Sequence, residues 1–228
     1  MDFGYPRPQL QRAQWTCLNG PWRFRYDDDQ AFRRPDDIDH WPQQITVPYP
    51  PESRASGIAD TGFHTVAWYQ RDFEAKPGND RVVLHFGAVD YAAKVWVNGR
   101  LAVTHEGGHT PFSADITDLL DPSGRQVVTL RAEDDPHDLT KPRGKQDWQL
   151  EPHSIWYPRT TGIWQTVWLE RVPRTYVDKI RWTPKVDGFQ IGFEVRVRGD
   201  QVDDLSVEIT LSHGERLLAR ARYQVIDN

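Results

Sequence analysis

The string His105-Glu106-Gly107-Gly108-His109 has the HExxH form, in which two histidines one helical turn apart hold zinc and the glutamate acts as a base. That chemistry requires a helix. Here the string carries two adjacent glycines, each costing about 1 kcal/mol in a helix. It also follows the strand-like Leu101-Ala102-Val103-Thr104 and precedes Pro111. It therefore reads as a tight turn after a strand, and no metal is implied. Acid–base work by a carboxylate pair needs two carboxyls held rigidly about 5–10 Å apart. The runs Asp27-Asp28-Asp29, Asp36-Asp37 and Glu133-Asp134-Asp135 fall in loops and at strand ends, where such runs read as solvated charge. Cys17 is the single cysteine, which excludes an intrachain disulfide and any multi-cysteine zinc site. No G-x-S-x-G string and no phosphate-cradling glycine loop is present. No residue is assigned a catalytic role.

Arg143-Gly144-Lys145-Gln146 offers a guanidinium, an ammonium and an amide close to Trp148. These groups suit a carboxylate or a hydroxyl-rich ligand, the alternative being a solvated loop. The run lies in Lys141 to Gly162, a stretch punctuated by Pro142, Gly144, Pro152, Pro158 and Gly162 and holding Trp148, Trp156 and Tyr157. Loops of about twenty residues in compact domains are usually functional or disordered, and the aromatics argue against disorder. Gly162 to Glu170 follows as a strand, with Ile163, Val167 and Leu169 on one face and Trp164 and Trp168 on the other. Such a strand is buried on both sides, or lends its Trp face to a ligand.

The chain of 228 residues has 38% hydrophobic residues, enough for a sizeable core. With 28 basic against 33 acidic residues the net charge is −5, which gives no basic field for nucleic acid. No apolar run approaches the ~20 residues that cross a bilayer, and Met1 to Leu10 lacks the apolar stretch of a signal peptide. A cytoplasmic location is expected. Ten Trp, eight Tyr and nine Phe suggest a ring-packed core or platforms for flat ligands such as sugars.

The elements that must position these residues are strands. Residues 1–21 read as an extended lead-in. Strands are expected at 22–26, 45–47, 66–74, 81–87, 92–98, 101–105, 126–133 and 163–172. Asn98-Gly99 between two alternating runs signals a hairpin. Asp115 to Leu120 allows one capped helical turn. After Pro173, a strand at 176–183 precedes three alternating runs: Phe189 to Val197, Leu205 to Leu211 and Leu217 to Val225. About four strands there fall short of the about seven of an immunoglobulin-like sandwich.

Several of these segments resemble glycoside hydrolase family 2. Asn19-Gly20-Pro21-Trp22-Arg23-Phe24, Trp68-Tyr69-Gln70-Arg71-Asp72-Phe73, Leu84 to Asp90, Val95-Trp96-Val97-Asn98-Gly99, Gly107 to Thr117 and Thr161 to Leu169 are similar to that family's motifs and stand in its order. The resemblance implies a jelly-roll sugar-binding domain, then an immunoglobulin-like domain. A (β/α)₈ barrel bearing an acid/base Glu and a nucleophile Glu should come third, and it is absent here. In some members, jelly-roll loops reach the barrel mouth and contact the sugar. The equivalent loop here is 141–161. The β-galactosidase type has an Asp shortly before its SGI motif, whereas Ile155 to Thr160 contains none.

The resulting expectation is an all-β chain. A jelly-roll, galactose-binding-domain-like β-sandwich over 1–173 precedes a truncated immunoglobulin-like β-sandwich over 176–228. The chain is expected to be the non-catalytic N-terminal portion of a hydrolase of β-linked terminal sugars, inactive alone. Its partners would be the β-glycoside substrate and the missing catalytic barrel, with no cofactor, nucleic acid or membrane. The substrate-contacting residues would be Arg143, Lys145, Gln146, Trp148, Trp156, Tyr157 and Arg159. The rivals are a stand-alone carbohydrate-binding module and a ligand-free structural fragment, whose half sandwich would expose an apolar face.

Overall fold

The computed structural model describes residues 4–200 and 202–226 and forms two compact units, one built on Gln11–Val172 and one on Pro173–Asn228. The first unit contains β1 (Trp15–Cys17), β2 (Gly20–Tyr26), β3 (Gln43–Val47), β4 (Val66–Glu74), β5 (Arg81–Phe86), β6 (Val89–Asp90), β7 (Ala92–Val97), β8 (Arg100–Glu106), β9 (Phe112–Asp115), β10 (Arg125–Glu133), β11 (Gly162–Ile163) and β12 (Val167–Val172). A six-stranded sheet runs β3-β2-β4-β10-β7-β8 and a four-stranded sheet runs β1-β12-β5-β9, with β6 and β11 paired separately. Pairing between these strands is antiparallel throughout.

Period-two alternation explains the sandwich. Trp22 and Phe24 of β2, Tyr69 and Phe73 of β4, Leu130 of β10 and Val95 of β7 face Val82, Leu84 and Phe86 of β5 and Val167 and Leu169 of β12 in one core. The β4 residues of opposite parity, Val66 and Trp68, form a second cluster with Trp96, covered by Phe32, Ile38 and Trp41. The connection 27–42 is thus a lid over the outer face of the larger sheet. Asp27 ties it down, accepting the N–H groups of Ala31 and Phe32 and the Trp68 indole N–H at 2.8, 3.1 and 3.1 Å. The acidic run is therefore not wholly solvated: Asp27 is buried, because these three donors replace its water.

The expected hairpin at Asn98-Gly99 is present, with both residues at positive φ (51° and 76°), the geometry of a type I′ turn. The helical turn after Asp115 is a single 3₁₀ turn, Thr117–Leu119, its first amide held by the Asp115 carboxylate at 3.0 Å. His105 lies on β8 and His109 in the turn beyond it, so the HExxH string shares no helix face. The expected single strand over 163–172 is divided into β11 and β12. Asn19 holds the break, donating to Thr166 Oγ1 and accepting the Val167 amide at 3.0 Å. The expected lead-in contains a strand, β1, on the edge of β12. The expected Trp face divides: Trp168 is buried, stacking on His85 at 4.8 Å and donating to the buried Glu170, whereas Trp164 is half-buried.

The second unit consists of two antiparallel hairpins, β13 (Thr175–Lys185) with β14 (Gln190–Gly199) and β15 (Ser206–His213) with β16 (Arg216–Gln224), each a two-stranded sheet of its own. Phe193 meets Tyr223 across the hairpins at 5.2 Å. Phe189 does not continue the alternation: it occupies the β13–β14 turn at φ 48° and is 98% exposed. No helix among the described residues is long and apolar enough to cross a membrane.

Candidate functional site

Residues 141–161 form no regular strand, yet the loop is internally built. Asp147, fully buried, accepts the amides of Gln149 and His153 at 3.0 and 2.7 Å and meets the His153 ring nitrogen at 2.7 Å. The Tyr157 amide donates to Lys145 O and the Asp147 amide to Tyr157 O, both at 2.9 Å, so the two arms of the loop lie side by side. These bonds give the segment a defined internal structure.

The loop is fastened to the sandwich by carboxylates. Gln146 donates to Asp90 Oδ2 and accepts the Thr160 amide, both at 2.7 Å. Arg159 is buried; it donates to Asp134 O at 3.0 Å and to the Asp134 carboxylate, and lies 5.7 Å from the Phe63 ring centre. Thr161 donates its amide to Glu52. Burial pushes Glu52 up to about 7 and Asp134 up to about 6, with Arg159 opposing both. Burial also raises Asp90, against the Gln146 hydrogen bond and the His109 charge. Asp134 thus departs from the solvated charge run in which the sequence placed it. The guanidinium beneath the loop replaces its water.

Between loop and sandwich lies a hollow of about 300 Å³, lined by Asp90, His109, Arg143, Lys145, Gln146, Tyr157, Pro158, Thr160 and Trp164. This is at the small end of ligand sites. Pairing of β6 with β11 sets Asp90 opposite Gly162 and so brings Asp90 and Trp164 to one end of the sheet. Trp164 is fixed by its indole N–H on Gly108 O at 2.7 Å, with the His109 ring edge-on at 5.6 Å. A hollow of about 450 Å³ in the second unit, bounded by Thr175, Gly199 and Asp203 to Leu205, has no aromatic wall.

Of the expected contact residues, Arg143, Lys145, Gln146 and Tyr157 line the loop hollow, while Trp148, Trp156 and Arg159 do not. Trp148 and Trp156 pack edge-to-face on each other at 5.3 Å, and Arg159 serves the Asp134 ion pair. Asp90, His109 and Thr160 were not singled out in the sequence as site residues. Asp90 and His109 stand inside recognisable motifs, but their meeting depends on the two-residue β6–β11 ladder, which has no periodicity to read. Chemically, the hollow combines one carboxylate, cationic side chains and the aromatic rings of Tyr157 and Trp164.

Comparison with known proteins fits this architecture. A family model described as "Glycosyl hydrolase 2 galactose-binding domain-like" matches residues 58–184. The β-glucuronidase of Canis lupus familiaris is 30% identical over 248 residues, covering 92% of this chain and 37% of its own length. A solved β-glucuronidase from Faecalibacterium prausnitzii is 26% identical with a TM-score of 0.68, covering 96% of this chain and 40% of that one. An apo β-glucuronidase from Ruminococcus gnavus, at 19% identity and a TM-score of 0.72, shares the fold over 94% of this chain and 38% of its own. The chain therefore spans little more than a third of the length of such relatives, matching their N-terminal portion and not the catalytic barrel. With the motifs, the sandwich and the match over more than half its residues in agreement, the chain belongs to the glycosyl hydrolase 2 family, as its galactose-binding-like N-terminal portion.

Proposed function

We propose that this chain serves a hydrolase of β-linked terminal sugars, glucuronides among them, by holding the N-terminal fold and supplying sugar contacts from loop 141–161. The observation that carries this reading is the convergence of Arg143, Lys145, Gln146 and Tyr157 on one hollow. A guanidinium and an ammonium suit a sugar carboxylate, and a ring suits the C–H face of a pyranose. The relatives named β-glucuronidase support the same ligand class. Trp148, Trp156 and Arg159 shape the loop in this reading, and hydrolysis belongs to the barrel of the whole hydrolase.

In a complete hydrolase carrying this chain, Arg143→Ala and Tyr157→Ala should each raise KM for p-nitrophenyl β-D-glucuronide by about tenfold, the loss of one good polar or stacking contact. Unchanged kinetics for both variants would remove the loop from substrate binding. A stand-alone binding module is favoured by one observation: the hollow is lined entirely by residues of the first unit. That reading requires sugar affinity in the chain by itself.

A further inference from the structure

Glu52 lies in the connection between β3 and β4, just before a 3₁₀ turn at Arg54–Ser56. Its carboxylate turns inward and accepts the amide of the buried Thr161, the last residue of the loop, at 3.3 Å. Two phenols stand at the same place. Tyr26 of β2 and Tyr69 of β4 both sense the Glu52 charge. Their hydroxyls are buried and find no acceptor among the described residues. Tyr69 Oη also lies against Gly162, where it leaves no room for a Cβ. Thr161 and the start of β11 are thus seated on Tyr69 and Glu52.

The charged groups around Glu52 do not suit a carboxylate. Arg159 acts on it from the loop, but that guanidinium is committed to Asp134. Beside Tyr26 stand two more carboxylates, Asp28 and Asp60, bridged by His64 at 2.8 and 3.2 Å. The His64 ring stacks on Tyr26 at 3.5 Å. Thr161, Tyr26 and Tyr69 offer neutral dipoles, which replace only part of the water that a charge loses. Burial therefore outweighs the Thr161 hydrogen bonds and pushes Glu52 up to about 7. The neutral acid fits this seat better than the anion does. Glu52 is half-buried, so its side chain has a route to water.

We propose that Glu52 is a proton-operated latch on the loop: as the neutral acid it stays seated and holds Thr161, and as the anion it turns to water and frees Thr161. Glu52 is then a positioning residue that acts through Thr161. Arg159 remains on Asp134, so the release is confined to Thr161 and the start of β11. The latch belongs to the chain by itself; its effect on substrate rests on the sugar-contacting role of loop 141–161.

Nuclear magnetic resonance on the full chain tests the latch. The Glu52 carboxyl carbon should titrate near pH 7. Hydrogen-exchange protection of the Thr161 amide, corrected for the intrinsic rate, should fall about tenfold from pH 6 to pH 8 and level off beyond. That size follows from linkage between a latched state titrating near 7 and a released state at the ordinary 4.5. Glu52→Gln keeps the acceptor and cannot ionise, so its Thr161 protection should stay level. Thr161 should also exchange faster than the amides of β12 at pH 8, the mark of a local opening. Equal rates would mean global unfolding and overturn the latch. Titration of Glu52 near 4.5, or an equal fall in Glu52→Gln, overturns it as well. If near-UV circular dichroism shows Glu52→Gln unfolded, the carboxyl titration and the comparison with β12 in wild type still decide. In the complete hydrolase, the ratio of wild-type to Glu52→Gln KM for p-nitrophenyl β-D-glucuronide should rise from pH 6 to pH 8. A flat ratio beside a working latch leaves the latch standing and removes the loop from sugar contact. No latch, beside a raised KM in Arg143→Ala and Tyr157→Ala, does the reverse.

Discussion

Glu52 and Asp134 show how single residues beneath the loop set a pH response. Their folded values, about 7 and about 6, lie above the ordinary 4.5 and 3.8 because burial penalises the charge. The folded chain then binds these protons more tightly than the unfolded chain. Their contribution to stability is fully present below about pH 4 and is lost as the pH rises through 6 to 7. For Glu52 the difference is on the order of 3 kcal/mol. The thermal midpoint should therefore fall between pH 5 and 8, and Glu52→Gln should flatten that fall; superimposable profiles for the two proteins would contradict the burial argument. Neither behaviour was legible in the sequence. Asp134 stands in an acidic run and looks solvated, and Arg159 looks like a ligand anchor, until the fold places one against the other.

At the scale of elements, the connection 27–42 is held by Asp27 and by the Trp68–Trp96 pair, whose rings stack at 5.5 Å. Asp27→Ala leaves three buried or half-buried N–H groups without an acceptor, a loss of about 2–4 kcal/mol at about 1–3 kcal/mol for each donor left unsatisfied and partial relief by water. Amide hydrogen exchange across 28–41 should accelerate far more than exchange in β5 or β12. A uniform acceleration would mean that Asp27 supports the whole sandwich rather than its lid. Most strands were legible, since alternation of the kind seen in β4, β7 and β10 follows directly from one buried face. The β11–β12 break was not, because Asn19, remote in sequence, creates it by bonding Thr166 and Val167.

On the scale of the whole molecule, the first unit carries its own closed core from Leu18 to Leu169, whereas the hairpins of the second leave Trp182, Leu217 and Tyr223 about half exposed. A chain ending at Pro173 should keep the near-UV signature of Trp22, Trp68 and Trp168 and melt cooperatively, with less light scattering than the full chain. Loss of the cooperative melt on truncation would show that the sandwich depends on the segment beyond Pro173.

The sequence by itself determined the all-β class, the order of the strands, the Asn98-Gly99 hairpin and the family, because each is written in local patterns of burial, turn chemistry and spacing. It also marked 141–161 as the segment of interest through its aromatics and cations. Only the tertiary structure decided which of those residues share a hollow. Asp90, His109, Gln146 and Trp164 come from separate stretches of chain and meet through the β6–β11 pairing and the Gln146 clasp. Such contacts depend on long-range closure and on the desolvation that closure imposes, and neither leaves a periodic trace along the chain.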